Sequence, residues 1–203
     1  MTGADRLAVP DLAAIREAAA RIAPHVHRTP VLTCTSIDAE VGASLRFKCE
    51  NFQRIGAFKA RGASNAVYSL PEALARRGVL THSSGNHGAA LAYAAQRRGI
   101  AAWIVMPSNS AKVKIENVRR LGATIRYSGP DAASRAAVCA EVERETGATM
   151  IHPFDNAAVI AGQGTAVLEL LADAPELDAV VAPCGGGGLL SGTSIAARGL
   201  SPS

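Results

Sequence analysis

Aromatic side chains are scarce in this chain, making up 4% of its 203 residues. A nucleic-acid surface needs aromatics interleaved with a dense basic face. The net charge of +4 is only a mild excess, so nucleic acid is excluded as a partner. The arginine pairs at 76–77, 97–98 and 119–120 fall instead near expected helix ends, where cations favour the dipole. Long apolar runs are missing as well. The longest, Gly99 to Met106, is far short of the roughly 20 residues that cross a bilayer, which argues against a membrane partner. Cys34, Cys49, Cys139 and Cys184 are widely spaced and form no CxxC pair. They read as reduced thiols of a cytoplasmic protein, with neither a disulfide nor a zinc site expected. Asp5, Arg6, Asp11, Arg16 and Glu17 interrupt the stretch where an export signal would need an apolar core.

What is present is a globular composition, 48% hydrophobic and 19% charged. Leu12, Ile15, Ala19 and Ile22 recur at helical spacing and stop before Pro24. Leu45, Phe47 and Cys49 alternate with Arg46 and Lys48, the pattern of a half-buried strand. Helical patterns follow over Phe58–Tyr68, His87–Arg98, Ser110–Leu121, Ala132–Thr146, Ala161–Ala172 and Leu189–Gly199. Strand candidates lie between them at Gly78–Thr81, Ala101–Met106, Thr124–Tyr127, Thr149–Ile151 and Ala179–Ala182. This alternation predicts a layered α/β fold with parallel sheets. The closing residues Leu200 to Ser203 are a turn signal that normally leads into another element. A fragment, or a naturally short version of a longer chain, is therefore expected.

Three stretches carry candidate chemistry. In GAFKARGA, Lys59 follows Phe58 at the start of a helix that reads as buried; the lysine is either a surface charge beside a turn or an amine kept for chemistry. In PCGGGGLLSG, a strand runs into Gly185, Gly186, Gly187 and Gly188 and then a helix at Leu189. Backbone N–H groups there suit a phosphate, although neither a Walker loop nor GxGxxG can be placed. The alternative is a flexible turn. In THSSGNHG, Ser83, Ser84, Asn86 and His87 crowd a strand-to-helix turn, where they either cap the helix or surround a carboxylate. An amine, a phosphate cradle and a carboxylate pocket are together the parts that hold pyridoxal phosphate and an amino acid.

In the order and spacing of GAFKARGA, SSGNHG, AGQGTAVLEL and PCGGGGLLSG, the chain resembles the N-terminal two-thirds of the serine/threonine dehydratase and serine racemase family. These are fold type II pyridoxal phosphate enzymes, and the match runs from about Leu12 to the end. The resemblance implies two lobes: residues 1–77 and 149–203 in a larger one whose C-terminal part is missing, and residues 78–148 in a smaller one. It implies that Lys59 forms the Schiff base, that Phe58 packs on the cofactor ring and that Asn86 bonds the ring hydroxyl. Gly185 to Leu189 would cradle the phosphate. Ser83, Ser84, Asn86 and His87 would surround the substrate carboxylate. Arg135 is a further candidate there, unless it is a solvated charge at a helix start.

The activity implied first is β-elimination of L-serine or L-threonine, giving pyruvate or 2-oxobutyrate plus ammonia. Serine or hydroxyaspartate racemisation or dehydration comes second, and a non-catalytic cofactor-binding homologue third. Ser84, on the face opposite Lys59, permits racemisation without requiring it. A homo-oligomer, a dimer, is expected, acting on a small amino acid. A divalent metal is possible in the family, but no ligands for it lie in this chain. His25, His27, His82 and His152 read as surface residues and Cys184 as a buried filler. Val167, Leu168 and Leu171 are expected to be partly uncovered, and the 203-residue chain alone to bind cofactor weakly and turn over slowly or not at all.

Overall fold

Asp11 opens the first helix, its carboxylate accepting the Ala14 N–H at 2.8 Å. That helix, α1 (Leu12–Ile22), buries Ile15, Ala18 and Ile22. The computed structural model describes residues 9–201; the charges at Asp5 and Arg6 and the turn signal at Pro202 and Ser203 lie outside the described residues. β1 (Val31–Leu32) pairs antiparallel with β2 (Phe47–Lys48), and α2 (Thr35–Val41) lies between them. This strand is shorter than Leu45–Cys49, and its faces are exchanged relative to the sequence pattern. Phe47 is 39% exposed, whereas Lys48 turns inward because its ammonium meets Glu169 at 2.6 Å and the Thr29 carbonyl at 2.7 Å. A paired ammonium can be buried.

Two single-turn helices, Glu50–Phe52 and Arg54–Gly56, lead into α3 (Lys59–Ser69). Residues 60–67 of α3 are all buried, packed among α1, α5 (Asn86–Arg98) and α8 (Ala157–Asp173). Glycine permits the closest approach. A Cβ on Gly162 of α8 would lie 2.6 Å from the Gly62 Cα and 2.7 Å from the Arg61 carbonyl oxygen. α8 begins four residues before the expected Ala161, because the Asn156 side chain caps it by accepting the Val159 N–H at 3.0 Å.

The short α4 (Glu72–Ala75) precedes a four-stranded sheet, all parallel, in the order β5 (Thr124–Ser128), β4 (Ala102–Pro107), β3 (Val79–His82), β6 (Thr149–Met150). Side chains alternate across it. Val79, Ile104 and Met106 face the core shared with α5 and α6 (Lys112–Arg120). Leu80 and Val105 face Cys139 and Val142 of α7 (Ala132–Thr146). A third core joins α1, α8 and α9 (Gly188–Leu200) through Ile15, Leu170 and Ala196. Within it Val167 is buried, contrary to expectation, while Leu168 and Leu171 are partly covered. The strand expected at Ala179–Ala182 does not form. It has no ladder partner among the described residues, and Val181 is 94% exposed.

Candidate functional site

Parallel pairing of β3 with β6 sends two loops out of the same end of the sheet, the end at which α/β folds place their ligand sites. The first loop carries Ser83 and Ser84 into α5. The Ser83 hydroxyl accepts the Gly85 N–H at 3.1 Å, but no side chain caps α5, whose N-cap is Gly85. Ser84 and Asn86 are exposed, and with no side-chain cap bond on α5 among the described residues the capping reading fails. Gly88 lets this turn press onto the sheet, since a Cβ there would sit 2.9 Å from the Ile104 Cγ2. His87 points inward, with Nε2 3.2 Å from the Ile151 carbonyl oxygen. Its Nδ1 is buried without a partner among the described residues. Burial, and behind it the Lys59 charge, push the His87 imidazole down to about 3.

The second loop, from β6 into α8, is where the lysine is held. Lys59, the first residue of α3, donates from Nζ to the Pro153 carbonyl at 2.6 Å. The same ammonium lies 5.3 Å from the centroid of the Phe58 ring. Burial alone lowers the Lys59 pKa from the usual lysine range. The next side chain, Phe154, lies against the glycine loop: a Cβ on Gly186 would be 2.2 Å from the Phe154 Cδ1, and one on Gly188 would be 3.1 Å from the Phe154 Cα. Gly185 and Gly187 have open space on their Cβ side. Gly187, at φ +90°, occupies the left-handed region that glycine tolerates, and no side chain caps α9 behind it. Phe58 and Leu189 both line a cavity of about 220 Å³ beside Val181 and Pro183.

The structure thus brings Lys59, Phe58, His87 and the glycine loop to one region, with Ser83, Ser84 and Asn86 at its edge. Arg135 stands at the start of α7, donating to the Pro130 carbonyl at 2.6 Å. Its charge is one of the influences that lower His82, after burial and His152. Half-buried His82 and His152 contradict their surface reading: their rings meet edge to face at 5.6 Å, and His152 meets Phe154 at 4.6 Å. His25 is also half-buried, stacked on Tyr68 at 3.7 Å. Cys184 is exposed, not a buried filler, because the loop it opens has no strand beside it among the described residues. The sequence reading missed the His152–Phe154 loop. Its signal was position, directly after a strand whose parallel pairing fixes which end is functional.

These features fit a phosphate-bearing aldehyde. There is a partly desolvated amine to capture the aldehyde, a loop of N–H groups with open space at two glycines, and an orphaned buried nitrogen on His87 beside an uncapped helix start.

A family model described as pyridoxal-phosphate dependent enzyme matches residues 22–203. A serine racemase of Oryza sativa subsp. indica is 54% identical over 193 residues, covering 95% of this chain and 57% of the relative. A β-hydroxyaspartate dehydratase of Paracoccus denitrificans is 50% identical over 182 residues, covering 90% of this chain and 58% of the relative. Among solved structures, maize serine racemase has a TM-score of 0.95 at 53% identity, covering 96% of this chain and 59% of that one. A threonine deaminase from T.th. has a TM-score of 0.87 at 44% identity, covering 95% and 62%. The chain therefore spans 57% and 58% of the length of the two curated relatives named.

Proposed function

The chain belongs to the pyridoxal-phosphate dependent enzymes, and on that premise we propose that it serves a site at which serine and related β-hydroxy amino acids exchange their Cα proton and lose their β-hydroxyl. The observation that carries this reading is the Lys59 amine, desolvated and held by Pro153, one residue from the Phe154 side chain that packs on Gly186 and Gly188. The sequence reading placed serine/threonine dehydration first. The 54% and 50% identities, to a serine racemase and a β-hydroxyaspartate dehydratase, weigh for its alternative instead.

Lys59 would hold the cofactor through its amine, with Phe58 and Asn86 at the ring. The N–H groups of Gly185, Gly186, Gly187, Gly188 and Leu189 would take the phosphate. When bound, the cofactor supplies an electron sink beside the substrate Cα. The uncapped start of α5, with Ser83, Ser84, Asn86 and His87, would orient the substrate carboxylate, and Arg135 would add a positive field from α7. The substrate amine would take the place of Lys59 on the cofactor, and since burial keeps a larger fraction of the released Lys59 amine neutral than in water, it would take the Cα proton from one face. The Ser84 hydroxyl would return a proton to the other face, giving D-serine. Departure of the β-hydroxyl as water, with later hydrolysis that releases ammonia, would give pyruvate from serine and 2-oxobutyrate from threonine.

The test supplies L-serine and pyridoxal phosphate, and follows D-serine by chiral chromatography and pyruvate by coupled reduction. Both products are expected, at a low rate where the 203-residue chain acts alone. Ser84→Ala should cut D-serine formation at least tenfold, ~1.4 kcal/mol of barrier, while pyruvate falls less. Unchanged D-serine in that variant would remove Ser84 from the mechanism. Cofactor binding with neither product would favour the non-catalytic homologue.

A further inference from the structure

The turn from His152 to Asp155 touches both halves of the proposed cofactor site. Within it the Pro153 carbonyl accepts from the Lys59 amine at 2.6 Å, and the Phe154 ring covers the backbone of Gly186. The turn is closed by a side chain. His152 Nδ1 accepts the Asp155 N–H at 2.9 Å and, at longer range, the Phe154 N–H at 3.5 Å. A backbone N–H can only donate, so Nδ1 carries no proton and the ring is the neutral tautomer protonated on Nε2.

We infer that His152 is the positioning residue that holds the Lys59 amine and the glycine loop in register, by fixing the turn between them. This rests on the roles proposed above for Lys59 and the glycines. Protonation at Nδ1 would turn the acceptor into a donor facing two other donors, and the turn would lose its closing bonds. Pro153 and Phe154 would then move together, disturbing the lysine and the phosphate loop in one event.

The groups facing His152 come from every side. His82 lies edge-on from β3, Lys59 is at the head of α3, and Asp155 is in the turn itself. His87 on α5 and, through His82, Arg135 on α7 belong to the same electrostatic cluster. Burial lowers the His152 pKa, Asp155 opposes this, and Lys59 adds to it, with a net shift downward from 6.5. The closing bond is therefore complete above the unfolded value and is lost as pH falls through the lower folded one.

The experiment compares wild type with His152→Asn, whose amide oxygen can accept the same N–H groups in a turn without titrating. Pyridoxal phosphate is titrated by visible absorbance at about pH 8 and at a pH below the His152 midpoint found by NMR; ionisation of the cofactor and of Lys59 is common to both proteins. The two affinities should agree within about twofold at the higher pH, and wild type should be weaker by about threefold or more at the lower. A parallel loss in both proteins overturns the proposal.

A second arm uses wild type without cofactor and follows the His152 ring nitrogens and backbone amides by NMR as pH falls. The Phe154, Asp155, Gly186 and Gly188 amides should shift with the titration of His152. If His152 titrates while they stay fixed, the proposal is wrong. Absence of a visible band in wild type at any pH would defeat the cofactor reading instead, and the NMR arm alone then decides the role of His152.

Discussion

Among the described residues Lys59 has one hydrogen-bond partner, the Pro153 carbonyl, and its pKa is lowered by burial alone. Removing it should therefore cost little stability and almost all chemistry. Lys59→Ala is expected to lose the visible band of bound cofactor and to lower serine turnover by about a thousandfold or more, ~4 kcal/mol. Its unfolding free energy should change by only about 1 kcal/mol, the net worth of one hydrogen bond. A retained band, read by absorbance alongside a urea titration, would mean that another amine captures the aldehyde. The direction of the Lys59 shift adds a pH dependence. A lowered pKa leaves more neutral amine at a given pH, so cofactor capture should rise with pH over a range that starts below that of a free lysine.

The crossing of α3 and α8 depends on glycine at both helices. Gly162→Ala would place a Cβ within 2.7 Å of the Arg61 carbonyl oxygen and 2.6 Å of the Gly62 Cα, a clash with backbone that cannot rotate away. A loss of about 1–3 kcal/mol is expected from the urea midpoint. Gly185→Ala, with open space beside it, should leave that midpoint nearly unchanged. At this scale the sequence was readable where an apolar period ran from the helix start, as from Leu12 to Ile22 in α1. Asp11 and Asp131 both cap helices found close to their expected limits. α8 was placed late because its apolar rhythm was read from Ala161, while the Asn156 cap that starts it went unused. Lys59 and the glycines stood out because their residue types are unusual at helix starts. His152 and Phe154 could not be seen that way. Their role comes from the β3–β6 register, which sets strands 79–82 and 149–150 side by side although long stretches of chain separate them.

Across the molecule, one electrostatic tie is Arg61, fully buried, which bonds Glu50 at 2.8 Å and Glu169 at 2.7 Å, while Lys48 meets Glu169 at 2.6 Å. It joins the segment after β2 to α3 and α8. Arg61→Met would leave Glu50 without its cation and Glu169 with Lys48 alone, and is expected to destabilise by about 3–5 kcal/mol. Adding Glu169→Gln should recover part of that loss in a double-mutant cycle. Burial raises the Glu169 carboxyl, but the bonds and charges of Arg61 and Lys48 outweigh it and hold the pKa below 4.5. This contribution is present above the unfolded value and is lost as pH falls through the folded one, so Glu169→Gln should flatten the acid limb of stability against pH. The same connections set an order of events during synthesis. Lys59 and Pro153 are 94 positions apart, and Arg61 and Glu169 are 108 apart. A nascent chain therefore carries α3, destined for the interior, without its partners until α8 has emerged, and closing so long a loop has an entropic cost. Competence to capture the cofactor should appear after secondary structure. In refolding, the visible band would lag the far-ultraviolet dichroism and report the closure of α8 onto α3.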